Sequence, residues 1–137
     1  MSDYSPKAKL TLRLISYGLK TNKGNAGNGF RSIPEADFYL DCRGVPDDKN
    51  RVRVSFQETL SLRKSIESFG AASLDAMFDS ILESIEFLES RRDDRADPFA
   101  DPYVVCFFCA FGIHRSRTCK QILADRLRED GWKVEVI

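Results

Sequence analysis

A chain of 137 residues with 42% hydrophobic and 11% aromatic content can bury the core of one ordinary domain and is too short for two; residues 1–137 are therefore expected to form a single unit. Its 21 lysines and arginines balance 21 aspartates and glutamates, which argues against a protein whose main task is to coat duplex nucleic acid or an anionic membrane. No apolar run approaches the roughly 20 residues of a membrane span, and the start Met1-Ser2-Asp3-Tyr4-Ser5-Pro6-Lys7 lacks the apolar centre of a secretion signal. The expectation is a soluble, cytoplasmic protein in which Cys42, Cys106, Cys109 and Cys119 are reduced thiols.

Charge is unevenly spread. Residues 1–31 carry Lys7, Lys9, Arg13, Lys20, Lys23 and Arg31 against Asp3 alone, whereas residues 67–101 carry ten acidic residues against three arginines, the pattern of a solvated acidic helix face and linker. Leu10, Leu12 and Leu14 alternate with Thr11, Arg13 and Ile15, the period of a strand with one buried face. Three glycines and three asparagines within residues 21–29 read as a loop. That loop lacks the Gly-Lys-Ser/Thr ending of a Walker A motif.

Residues 37–42 read as a second strand, closed by the turn residues of Arg43-Gly44-Val45-Pro46, so Asp41 and Arg43 fall near a strand end. From Leu74, the residues Phe78, Ile81, Ile85 and Leu88 recur at helical spacing, with Ser73 as the expected N-cap and Arg91 and Arg92 complementing the last turn. A charged connector follows. Tyr103-Val104-Val105-Cys106-Phe107-Phe108 is an unbroken apolar run, as in a strand covered on both faces within a parallel sheet. A helix is expected from Arg115, with Cys119, Ile122, Leu123 and Leu127 inward and its end at Asp130-Gly131; Val134 and Val136 then alternate in a closing strand. The pattern predicts an α/β fold: a three-layer, Rossmann-like sandwich around a mainly parallel sheet of roughly four strands.

In open parallel sheets, ligands bind where strand carboxyl ends lead into helix N-termini. Cys109-Ala110-Phe111-Gly112-Ile113-His114-Arg115-Ser116 occupies that place. Amides of such a loop and of the first helical turn can converge on one anion, and the helix dipole favours negative charge there. Gly112 permits a turn that a Cβ would obstruct. Arg115 offers a planar fork for two phosphate oxygens, and Ser116 can bond the anion or the Cys109 sulfur. The expected guest is a phosphate or another tetrahedral oxyanion.

The same loop spells Cys-x5-Arg-Ser, similar to the signature of cysteine-dependent phosphatases. On that alternative Cys109 is the nucleophile, its thiolate favoured by nearby amides, Arg115 and His114, and Asp41 and Asp101 are the candidate acids. Cys106 and Cys109 also form a Cys-x-x-Cys pair, but Cys106 falls inside the apolar run while redox pairs open a helix. Neither a metal site nor a cofactor is expected, since Cys42, Cys119 and His114 show no second closely spaced ligand pair.

The loop ending His114-Arg115-Ser116 follows an apolar strand. It is preceded in the chain by Ser16-Tyr17-Gly18-Leu19-Lys20, and by Ala36-Asp37 with Asp41-Cys42-Arg43-Gly44-Val45-Pro46. Three such blocks in this order resemble the C-terminal domain of the RapZ family of RNase adapter proteins. The resemblance covers roughly residues 14–46 and 103–137, and the middle offers only Leu62-Arg63 as a counterpart of a family leucine–arginine pair. Ala110 and Phe111 stand where that family has a threonine–glycine pair. The resemblance implies a Rossmann-like sheet sandwich that binds rather than turns over a hexosamine phosphate, contacts small RNA in the bacterial adapters, and forms oligomers. It implies phosphate contacts from Cys109, Ala110, Phe111, Gly112, His114, Arg115 and Ser116, with Lys20, Asp41, Arg43 and Arg63 joining from neighbouring strand ends. Any RNA contact is expected from the basic residues between Lys7 and Arg31, and no membrane partner is expected.

Overall fold

The computed structural model describes residues 6–19, 33–46, 58–90, 101–110 and 115–137. Four strands, β1 (Thr11–Gly18), β2 (Phe38–Asp41), β3 (Tyr103–Cys109) and β4 (Lys133–Val136), and four helices, α1 (Pro6–Lys9), α2 (Glu58–Phe69), α3 (Ala71–Ser90) and α4 (Arg115–Glu129), follow one another as α1-β1-β2-α2-α3-β3-α4-β4. The strands form one all-parallel sheet in the order β2-β3-β1-β4. This is the α/β Rossmann-like sandwich that the sequence predicts, with one difference: among the described residues the long helices cover a single face of the sheet, where the sequence predicts a helical layer on each. No described helix is long and apolar enough to cross a membrane.

Register and alternation decide what each sheet face carries. Leu12 lies opposite Tyr103 and Val134, Leu14 opposite Val105 and Val136, and Leu40 opposite Phe107. These side chains share one face, where they join Leu62 and Ile66 of α2, Leu74, Ile81 and Ile85 of α3, and Ile122, Leu123 and Leu127 of α4 in a single core. Handedness explains why these three helices lie together. The steps from β2 to β3 and from β3 to β4 run in the same direction along the sheet, so right-handed connections place both on the same face. The step from β1 to β2 runs the other way; residues 20–32 of that connection, which include the predicted glycine–asparagine loop, lie outside the described residues.

Two element ends show the local physics. Gly131 has φ +95°, its N–H donates to Arg128 O (3.0 Å) and the Trp132 N–H donates to Leu127 O (3.0 Å). This is a Schellman cap, in which a left-handed residue lets the last helical carbonyls find donors. At the other junction the structure corrects the sequence reading. Ser73 is the third residue of α3 rather than its N-cap, because the helix enters directly from α2: the Gly70 N–H donates to Ile66 O (2.7 Å) and the Leu74 N–H to Gly70 O (2.9 Å). Helix α2 itself went unpredicted. Arg91 and Arg92, expected at the end of α3, lie outside the described residues.

Candidate functional site

The strand order creates a switch point. β1 leads away past β3 to β2, and β3 leads away past β1 to β4, so two neighbouring strands depart in opposite directions. In open α/β sheets the crevice for a ligand opens at such a place, beyond the carboxyl ends of the strands. Here Gly18 lies opposite Cys109, and the Leu19 N–H donates to Cys109 O at 2.9 Å, carrying the pairing one residue past the β1 strand. On the other flank the Cys42 N–H donates to Phe108 O at 2.8 Å. Three strand ends are thereby held around the start of the 109–116 loop.

The two ends of that loop touch. Cys109 closes β3 and Ser116 lies in the first turn of α4; the thiol donates to Ser116 Oγ at 3.2 Å, and both residues are buried. Arg115 is partly buried at the helix start, with its Nε shielded from solvent. Ala110 is half-buried. Lys20, Phe111, Gly112 and His114, all candidates from the sequence, lie outside the described residues.

Asp41 and Arg43 stand at the end of β2 as an ion pair. The Arg43 guanidinium donates to both carboxylate oxygens (2.8–3.1 Å), and the Arg43 N–H donates to Asp41 Oδ1 at 2.9 Å. That arginine holds the Asp41 carboxyl below its ordinary value. The guanidinium also lies 5.7 Å from the centre of the Phe108 ring, within cation–π range. Asp41 is in register with Phe108, and successive strand residues point to opposite faces, so Asp41 and the Cys109 side chain lie on different sides of the sheet. Asp101 precedes the amino end of β3, eight residues from Cys109 and roughly 26 Å away along an extended chain. Neither acid stands beside the thiol.

Arg63 is engaged elsewhere. It bonds Asp125 at 2.8 Å and Glu67 at 3.3 Å, and Asp125 is ten residues, about 15 Å of helix, beyond Arg115. The structure therefore brings together Cys109, Ala110, Arg115 and Ser116, sets Asp41 and Arg43 on the neighbouring strand end, and leaves Arg63 apart. Among the basic residues assigned to RNA, Lys7 pairs with Asp130 (3.3 Å) and Arg13 with Glu135 (2.7 Å).

Sequence reasoning missed Lys120. This lysine, only 4% exposed, donates from Nζ to Ile137 O at 2.6 Å and to Ser16 Oγ at 3.3 Å, and burial, with Arg117 adding to it, lowers its pKa. The available signal was its place four residues after Ser116 on the inward stripe of α4. The other cysteines are buried free thiols. Cys42 is pushed far up by its contact with the Cys119 thiol and by burial, as expected of packing rather than reactive cysteines. Among the described residues no group of three His, Cys, Asp or Glu side chains could hold a metal ion.

No curated protein matches the chain significantly. A family model described as RapZ C-terminal domain matches residues 10–137, including the middle segment where the sequence motifs give out. The chain belongs to the RapZ C-terminal domain family.

Proposed function

We propose that this domain binds the phosphate of a small phosphorylated metabolite at the 109–116 loop and does so without turning it over. The observation that carries the reading is the bond from Cys109 to Ser116, which draws the carboxyl end of β3 and the first turn of α4 together at the switch point of the sheet. Unpaired amides of a helix's first turn attract anions, and Arg115 adds a fixed positive charge beside them. Family membership supports a ligand of this type, and the hexosamine phosphate implied by the resemblance is one probe among several. Binding rather than hydrolysis is favoured because the Cys109 thiol is buried and bonded to Ser116, with Asp41 across the sheet and Asp101 at its far end.

Thermal melts with inorganic phosphate, sulfate and a hexosamine phosphate test the reading. A ligand at a hundredfold excess over Kd stabilises the native state by about 2.7 kcal/mol. With an unfolding entropy of about 2.1 cal/mol/K per residue, the expected rise in Tm is about 9 °C, reduced or abolished in Arg115→Ala. A wild-type Tm that no phosphorylated ligand raises above that of Arg115→Ala overturns the proposal. An aryl phosphate hydrolysed by wild type but not by Cys109→Ser would replace it with the phosphatase alternative.

A further inference from the structure

The end of the sheet opposite the 109–116 loop carries a recess of its own. There the starts of β2 and β3 meet one face of α3: Asp37, Phe38 and Tyr103 stand across from Glu83, Ser84 and Phe87, and together they line a groove of about 410 Å³. Its walls combine three aromatic rings with two carboxylates, and no described lysine, arginine or histidine lines it. Phe87 is 62% exposed, a large ring on the solvent side of its helix.

The walls are held in place. Asp37 bonds Val104 twice: its N–H donates to Val104 O at 2.8 Å, and its Oδ2 accepts from the Val104 N–H at 2.7 Å. The Tyr103 hydroxyl is bonded to Ser84, whose Oγ donates to Ile81 O at 2.7 Å. Burial raises the Tyr103 pKa against the opposing effect of Ser84, and the nearby Asp37 carboxylate adds to the rise.

Charge around the groove has one sign. α3 carries Asp75, Asp79, Glu83, Glu86 and Glu89 and no lysine or arginine. Asp75 pairs with Arg126, whereas Asp37, Asp79, Glu83, Glu86, Glu89 and Asp101 enter no ion pair with a described residue. Asp79 and Glu89 are separated by about 15 Å of helix. Carboxylates set among aromatic rings suit a guanidinium, which stacks on a ring while its N–H fork bonds a carboxylate. An acidic stripe of that length complements several basic residues on one chain rather than a single small cation.

We propose that this groove docks a basic segment of a partner polypeptide, with one arginine entering among Phe38, Phe87 and Tyr103 and its guanidinium meeting Asp37 and Glu83. The groove stands at the amino ends of the strands, and the proposal does not rest on the phosphate reading. Fluorescence anisotropy of the full chain with a labelled peptide of alternating arginine and glycine, and with its citrulline counterpart, tests it; citrulline keeps the shape of arginine and loses the charge. Wild type is compared with Glu83→Gln, Phe87→Ser and Glu129→Gln. Glu129 is an exposed acid that closes α4 outside the groove, and melts confirm that each variant is folded.

The arginine peptide is expected to bind wild type about tenfold or more tightly than the citrulline peptide. Phe87→Ser, which alters no charge, weakens it about threefold or more. Glu83→Gln weakens it about twofold or more, and Glu129→Gln leaves it unchanged. Equal weakening by Glu83→Gln and Glu129→Gln reduces the effect to net charge and overturns the groove, as does an unaltered Kd in Phe87→Ser or a citrulline peptide that binds as tightly. A sedimentation mass that doubles with concentration in wild type but not in Glu83→Gln makes the occupant a second copy of this chain and overturns the assignment to a partner polypeptide.

Discussion

Gly70 sits where α2 passes into α3, and the loop that follows Arg43 presses against it. A Cβ at this position would stand 2.9 Å from Ile66 O, 2.9 Å from Val45 Cγ1 and 3.0 Å from Pro46 O. Two of the three neighbours are backbone atoms and cannot turn aside, so Gly70→Ala must push the 45–46 segment off the helix junction. Overpacking of this kind costs about 1–3 kcal/mol. Gly70 lies between the two helices, and alanine there regains about 1 kcal/mol of backbone entropy, which leaves a net loss of up to about 2 kcal/mol. For a chain of this length that lowers Tm by up to about 7 °C. Gly44 supplies the control: a Cβ there meets nothing within 4 Å, and Gly44→Ala should change stability by less than about 0.5 kcal/mol. Thermal melts of the two variants side by side decide the matter. Equal Tm values for Gly70→Ala and Gly44→Ala would show that close approach at the junction is not what requires glycine.

Gly131→Ala should cost about 1–2 kcal/mol through its left-handed backbone alone, since the nearest atom to its added Cβ is Lys7 Cδ at 4.0 Å; a denaturant midpoint unchanged from wild type would contradict this. Arg63→Ala should lose only about 0.2–1 kcal/mol and leave the phosphate-induced rise in Tm intact, because its partners are Asp125 and Glu67. A lost ligand shift in that variant would place Arg63 in the site after all. Burial raises the Cys106 pKa from 9.0 to about 11. The folded state keeps the thiol protonated after the unfolded chain has ionised it, so this share of stability is complete below pH 9 and is lost as pH rises toward 11. Tm should therefore fall less steeply from pH 9 to 11 in Cys106→Ala than in wild type; parallel slopes would refute the assignment.

Much of the fold was legible because single elements announced themselves. The apolar run of β3, the inward stripe of α4 and the glycine after it each carry their own local signal, and all three stand where the sequence puts them. Helix α2 did not, because of the residues described in it only Leu62, Ser65 and Ile66 are buried, too short and too polar a stripe to stand out from a connector. The loop that supplies Cys109, Arg115 and Ser116 was legible from spacing and residue type alone. What surrounds it was not. Lys120 is buried against the habit of its residue type. Asp41 and Asp101 looked equivalent as acids until strand register put one across the sheet and the other at its opposite end.

Gly18 and Cys109 face each other across the central pair of strands, although most of the chain lies between them. No fragment that lacks either strand can therefore carry the crevice, and the long loop between them must close before the contact forms. A guest lodged there reports on the entire molecule rather than on a loop. Amide exchange in β1 and β3 should slow together when it binds, and a truncation or a proteolytic nick anywhere between those strands that uncouples them should abolish recognition even while individual helices persist.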